Sequence, residues 1–213
     1  MRIATPVVGV VVLLFIVLVG FTSRGASALL QLDPAAHLTR MQVSALIADQ
    51  TMTSTVVEQL WAAADAAWHE GDYREAIAIE RNIVALDPKD TEAWEVMSWL
   101  AWTEYGDERA VEILQEGLKA VPELPELWEA LAIQHFRMKR YEDAVVMYQQ
   151  AIQRGAPLNT WKMLAHVLEK SGKSTEAIPV RKEIVRRWPD DVPARNNYHR
   201  LLAELGQEPA GVQ

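Results

Sequence analysis

The chain has 213 residues, half of them hydrophobic, no cysteine and a formal net charge of −8. Disulfides, thiolate chemistry, Cys-ligated zinc and a lipidated N-terminal cysteine are thereby excluded, and the acid excess argues against a nucleic-acid partner held by bulk electrostatics. The length suits one domain with a real core plus an appendage.

The first element is apolar. MRIATPVVGVVVLLFIVLVGFTSRG has no charge between Arg2 and Arg24, and the 19-residue run Ile3 to Phe21 has no polar face. As a helix that run is roughly 28 Å long, close to the thickness of a bilayer core. Pro6 falls in its first turn, where a missing N–H costs little. Residues 1–24 are therefore read as a transmembrane signal-anchor. The competing reading is a signal peptide cleaved near Ala28, since Ala26-Ser27-Ala28 supplies the small-residue pattern. Basic residues flank the segment almost evenly, so charge asymmetry orients it weakly. Signal-anchor logic favours an extracytoplasmic C-terminal bulk, and cleavage would place the same domain in a secreted or periplasmic location.

Residues 25–56 are expected to form a partly helical connector. Asp33-Pro34 reads as a helix start, with Leu38, Met41 and Ala45 as a modest apolar stripe. TMTST, residues 51–55, is expected to interrupt the pattern before the main body.

From residue 57 the chain repeats. Ala76, Ala110, Ala144 and Ala177 recur at intervals of 34, 34 and 33, and Trp94, Trp128 and Trp161 at 34 and 33. Pro88 and Pro122 are 34 apart, and Pro189 closes the last unit. Between these markers run amphipathic segments of about a dozen residues, divided by GDYRE, KRYED and GKSTE. Such a period with two helices per unit predicts a stacked helical array in which each unit buries its apolar face on its neighbours. The units are placed at 57–90, 91–124, 125–157 and 158–191, with a capping helix at 192–206 and a disordered tail at 207–213.

The residues at these markers resemble the tetratricopeptide repeat, W-x2-L-G-x2-Y, then A-x3-F, then P. Trp94, Met97 and Ser98, then Trp128, Leu131 and Ala132, then Trp161, Leu164 and Ala165 follow the first half; Ala144-x3-Tyr148 follows the second. Glu80 and Arg181 depart from it by replacing the second-helix aromatic, and Ala64, Ser98, Ala132 or Ala165 stands where glycine is usual. The third unit is one residue short and ends in GAP. Pro179 is expected near a helix start, after Ser174 as N-cap. The resemblance implies an all-α, right-handed superhelical array of helix-turn-helix repeats, with the first helix of each unit lining a concave face.

Nothing in the sequence forms a catalytic or metal-binding constellation. His37, His69, His135, His166 and His199 make no metal-ligand spacing, although His135 and His166 fall on first helices of adjacent units. No nucleophile elbow, phosphate-cradling loop or dinucleotide turn is present. The chain is read as a non-enzyme without metal or other cofactor.

The tryptophans sort by angle instead. At about 100° per residue, Trp94, Met97, Ser98 and Ala101 form one stripe, which carries the repeat markers; Glu95, Trp99 and Trp102 form a second, roughly 100° away. The resemblance places Glu58, Trp61, Asp65 and Trp68 of the first unit, Glu92, Glu95, Trp99 and Trp102 of the second, and Glu126, Glu129, Ile133, Phe136 and Arg137 of the third on the concave face. The fourth unit turns polar there with Asn159, Lys162, His166 and Glu169.

Charge follows the same division: residues 57–157 carry 9 basic and 20 acidic side chains, net −11, and residues 158–213 carry 9 and 7, net +2. An aromatic, acid-flanked groove predicts a protein partner, peptide or helix, with an apolar or basic segment. The alternative is that these rings pack within the array or the connector. The Lys/Asn pattern that clamps a peptide carboxylate in some tetratricopeptide proteins is missing. The expected role is a membrane-anchored scaffold or adaptor aiding assembly of an extracytoplasmic complex; the alternatives are a permanent structural subunit of a larger membrane complex and an enzyme accessory domain.

Overall fold

The computed structural model describes residues 34–38 and 40–207. The segment 1–24, Asp33, the side chains of Met41 and Ala45, and the tail 208–213 lie outside the described residues. Among those described, no helix is long and apolar enough to cross a membrane.

The described residues form ten helices: α1 Arg40–Ile47, α2 Gln50–Glu70, α3 Tyr73–Leu86, α4 Thr91–Tyr105, α5 Asp107–Ala120, α6 Pro125–Arg137, α7 Tyr141–Gln153, α8 Leu158–Lys170, α9 Ser174–Arg187 and α10 Val192–Glu204. The chain divides into two compact units, one ending at Asp87 and the other beginning at Pro88.

In the first unit α2 packs along α3, and α1 packs on both. Two sequence expectations are corrected here. TMTST does not interrupt a helix; α2 runs straight through it. The hydroxyls of Thr53, Ser54 and Thr55 donate to the carbonyls of Asp49, Gln50 and Thr51 at 3.0 Å each, so these residues satisfy themselves within the helix. Asp49 caps its start, accepting from the Thr51 and Met52 amides at 3.1 and 3.2 Å.

Pro34 likewise does not open a helix, which begins only at Arg40. Asn82, buried on α3, holds the preceding segment in a non-helical course. Its side-chain amide donates to the Pro34 and Ala36 carbonyls at 2.8 and 2.9 Å, and its Oδ1 accepts from the Leu38 amide at 3.0 Å. One buried amide group thus satisfies three backbone groups that a helix would have used locally.

In the second unit α4 pairs with α5, α6 with α7, and α8 with α9, and α10 packs on α9. Ala110, Ala144 and Ala177 are fully buried, as is Ala76 in the first unit. Close helix approach explains Ser98 as well, whose hydroxyl donates to the Ala110 carbonyl at 3.2 Å across the α4–α5 crossing. The approach is also close at Gly117, where a Cβ would lie 3.0 Å from both the Trp94 ring and a Leu127 methyl. Asp90 caps α4 and Asp191 caps α10.

Ser174 does not cap α9 but is its first residue, following Lys173, and Pro179 sits in the second turn, not the first. The proline is exposed, so its ring points away from the core.

Both residues that replace the second-helix aromatic are buried, Glu80 at 2% exposed and Arg181 at 5%. Arg181 forms an ion pair with Glu169 on α8, and Arg200 on α10 reaches the other oxygen of the same carboxylate at 2.7 Å. Burial by itself would raise the Glu169 carboxyl. The hydrogen bonds and charges of Arg200 and Arg181 outweigh it and hold the group below its ordinary value.

Candidate functional site

The three tryptophans of α4 occupy three environments. Trp94 is 5% exposed, and its indole N–H donates to the Pro88 carbonyl at 3.0 Å. Trp128 repeats this, donating to Pro122 at 2.9 Å. Each tryptophan lies six residues after its proline, so the Trp and Pro markers of the repeat are two ends of one hydrogen bond closing the loop into the first helix.

Trp99 is 44% exposed. Trp102 is half-buried, and the Arg137 guanidinium of α6 lies over its ring, 3.7 Å from the centroid. The face of the ring under Arg137 is closed to a partner.

The next helix repeats the arrangement one unit on. Ile133 holds the register of Trp99 and is 42% exposed. Phe136 holds the register of Trp102 and is half-buried, its ring 5.8 Å from Tyr141 and 5.7 Å from His166. It is therefore a packing residue as much as a surface one, and His166 is engaged with Phe136. His135 is buried, its Nδ1 without a hydrogen-bond partner and 4.0 Å from an Asp143 oxygen; burial lowers its pKa below the ordinary value.

One helical turn before Trp99 and Ile133 come Glu95 and Glu129, and Glu92 and Glu126 come a further turn earlier on the same helices. Glu92 and Glu95 belong to α4, Glu126 and Glu129 to α6, at matching places 34 residues apart. Glu129 accepts the Thr160 hydroxyl of α8 at 2.6 Å. Glu95 is pushed up to about 7 by crowding that displaces water, then by the charges of Glu129, Glu126 and Glu92. Glutamates of the second and third units thus act on one another, while Trp102 and Phe136 are partly covered.

In the first unit Trp61 is half-buried, while Trp68 is 42% exposed with its ring edge-on to His69 at 4.6 Å. Among the described residues no group of three His, Asp or Glu side chains is placed to hold a metal ion.

No protein-family model matches the chain, and no curated protein matches it. Solved structures do. A crystal structure of the MamA protein is 18% identical and covers 74% of this chain and 85% of its own, with a TM-score of 0.55. TTC0263, described as a thermophilic TPR protein in Thermus thermophilus, is 17% identical and covers 76% of this chain and 92% of its own, with a TM-score of 0.52. The fold is that of a tetratricopeptide-repeat array.

In this tetratricopeptide-repeat array three contributors to the face were not visible as such in the sequence. Arg137 falls on the face by register, but only the structure shows it spent on Trp102. Thr160 is a marker-free position that reaches across to Glu129. Lys162, at the register of Glu95 and Glu129, would neutralise the acid patch if free; instead its ammonium is held by Asp191 at 2.6 Å.

Proposed function

We propose that this chain is a membrane-tethered tetratricopeptide-repeat scaffold that binds a protein partner on the face carried by the first helices α4 and α6, and holds that partner in an extracytoplasmic complex. The observation that supports this most is Trp99, a large apolar ring 44% exposed one helical turn from Glu95, the carboxyl on which the charges of Glu92, Glu126 and Glu129 act. Aromatic side chains in such settings dominate binding energy because they bring large rigid area at small entropic cost. The tether rests on the uncharged run Ile3 to Phe21. The role is binding, with no reaction assigned.

Site-directed photocrosslinking tests the reading. A photoreactive phenylalanine analogue replaces Trp99 in the full chain in its native membrane, with Val146 on α7 as the control position. One discrete crosslinked protein from position 99 and none from 146 is the expected result. Equal crosslinking from both positions, or none from 99, would overturn it. Alkaline carbonate washing of the same membranes tests the tether, since an uncleaved anchor stays in the pellet and a mature chain beginning at Leu29 does not.

A further inference from the structure

The carboxylates of Glu92 and Glu95 on α4 and of Glu126 and Glu129 on α6 are uncompensated. Among the described residues none of Glu92, Glu95, Glu126 and Glu129 is paired with a lysine or arginine, and the one donor to Glu129 is the neutral Thr160 hydroxyl. Three cations that could have served are engaged elsewhere: Lys162 with Asp191, Arg137 over Trp102, and Arg140 with Glu108 at 2.9 Å. Nor is the charge offset from inside. The Tyr148 hydroxyl, fully buried, has no hydrogen-bond partner, and burial together with the charge of Glu129 holds its proton more tightly than usual. Like charges gathered without a counter-charge raise the energy of the free protein, and a cation arriving from outside relieves it.

We propose that this face recognises a basic side chain of its protein partner, lysine or arginine, seating the cation among Glu92, Glu95, Glu126 and Glu129 with its aliphatic stem along Trp99 and Ile133. The proposal rests on the reading that the face binds protein, and adds the chemistry it selects. Long basic side chains suit such a place because their methylenes cover apolar surface while the charged head reaches the carboxylates.

Recognition of this kind is linked to protons. The groups acting on Glu95 are Glu92 on its own helix and Glu126 and Glu129 on α6; the other helix packed on α4, α5, contributes no charge to it. With its carboxyl raised to about 7, Glu95 is largely protonated at pH 6 and largely ionised at pH 8. A seated cation holds it ionised, so binding below pH 7 expels a proton. Affinity should then be about tenfold lower at pH 6 than at pH 8.

The probe is an acetylated, amidated peptide, Ala-Leu-Lys-Ala-Leu-Lys-Ala-Leu, compared with the same peptide carrying norleucine for both lysines. Binding to the full chain in detergent is measured by calorimetry at pH 6 and pH 8. The lysine peptide is expected to bind at least tenfold more tightly than the norleucine peptide at pH 8, to weaken about tenfold at pH 6, and to lose that pH dependence in Glu95→Gln. Circular dichroism confirms that Glu95→Gln and Glu129→Gln remain folded. Equal binding of the two peptides, no binding of the lysine peptide, or binding indifferent to both substitutions overturns cation recognition. Self-association of the full chain that Trp99→Ala abolishes also overturns it, by making a second copy the occupant. In each of these cases a discrete crosslink from position 99 would leave the protein-binding reading standing, so the two fail separately.

Discussion

Arg137 and Trp102, 35 positions apart in the sequence, form a stacked pair in which the guanidinium carbon stands 3.7 Å from the ring centroid. The pair joins α4 to α6 and covers one face of the Trp102 ring. By helical angle Trp99 and Trp102 share one stripe; by environment they differ.

The tryptophans of α4 should accordingly separate in stability and binding. Trp94→Ala is expected to cost about 3–5 kcal/mol in folding, the usual loss for a packed aromatic. Trp99→Ala should cost well under that and weaken partner binding instead. Trp102→Ala should fall between, and Arg137→Ala should shift indole fluorescence to longer wavelength as the ring meets water. Thermal melts and emission spectra of the four variants check the order; a Trp99→Ala variant as unstable as Trp94→Ala would make that ring core.

Gly117 looks like a candidate for stabilisation, since alanine in a helix interior gains up to about 1 kcal/mol over glycine. The structure predicts the opposite sign. A methyl there meets the Trp94 ring and Leu127 at 3.0 Å, and overpacking of that kind costs about 1–3 kcal/mol. Chemical denaturation of Gly117→Ala should show a net loss of roughly 1 kcal/mol.

The C-terminal cap should be sensitive to acid. Glu169 has a lowered pKa in the folded state, so its contribution is present above the unfolded value of 4.5 and lost as pH falls through the lower folded one. Glu169→Gln should abolish that acid-dependent loss. It should also destabilise at neutral pH by about 3–5 kcal/mol, because Arg181 stays buried without its counter-charge. Hydrogen exchange across α10 at pH 7 and below pH 4.5 reads both effects.

Glu95 has the reverse sign. Its folded pKa lies above the unfolded one, so the folded chain binds the extra proton, and stability falls as pH rises from 4.5 to about 7. Glu95→Gln, which removes the ionisation, should raise the thermal midpoint at pH 8 and leave it nearly unchanged at pH 4. An equal midpoint for both proteins at pH 8 would mean that the carboxylates of α4 and α6 do not strain one another.

Period, helix pairing and the inward stripe of each first helix were legible in the sequence alone. They follow from local geometry: about 100° per residue assigns Trp94 to the core and Trp99 to a second stripe, and a side chain deeper than a methyl will not fit where Ala110 or Ala144 meets its neighbour helix. Which surface residues are free was decided only by the tertiary structure. Arg137 covers Trp102, Asp191 takes Lys162, and Thr160 reaches Glu129, all through pairings of 29 to 35 residues' separation. The buried departures follow the same rule. Arg181 fits a second-helix aromatic site because Glu169 supplies counter-charge and a hydrogen bond from another helix, and Arg200 of a third holds that carboxylate. At the other end Asn82, 44 to 48 residues away, decides that 34–38 is no helix. Local torsional preference sets where a helix runs and which face it turns inward. The partners its polar groups find depend on side chains brought near by stacking, and short-range pattern does not contain them.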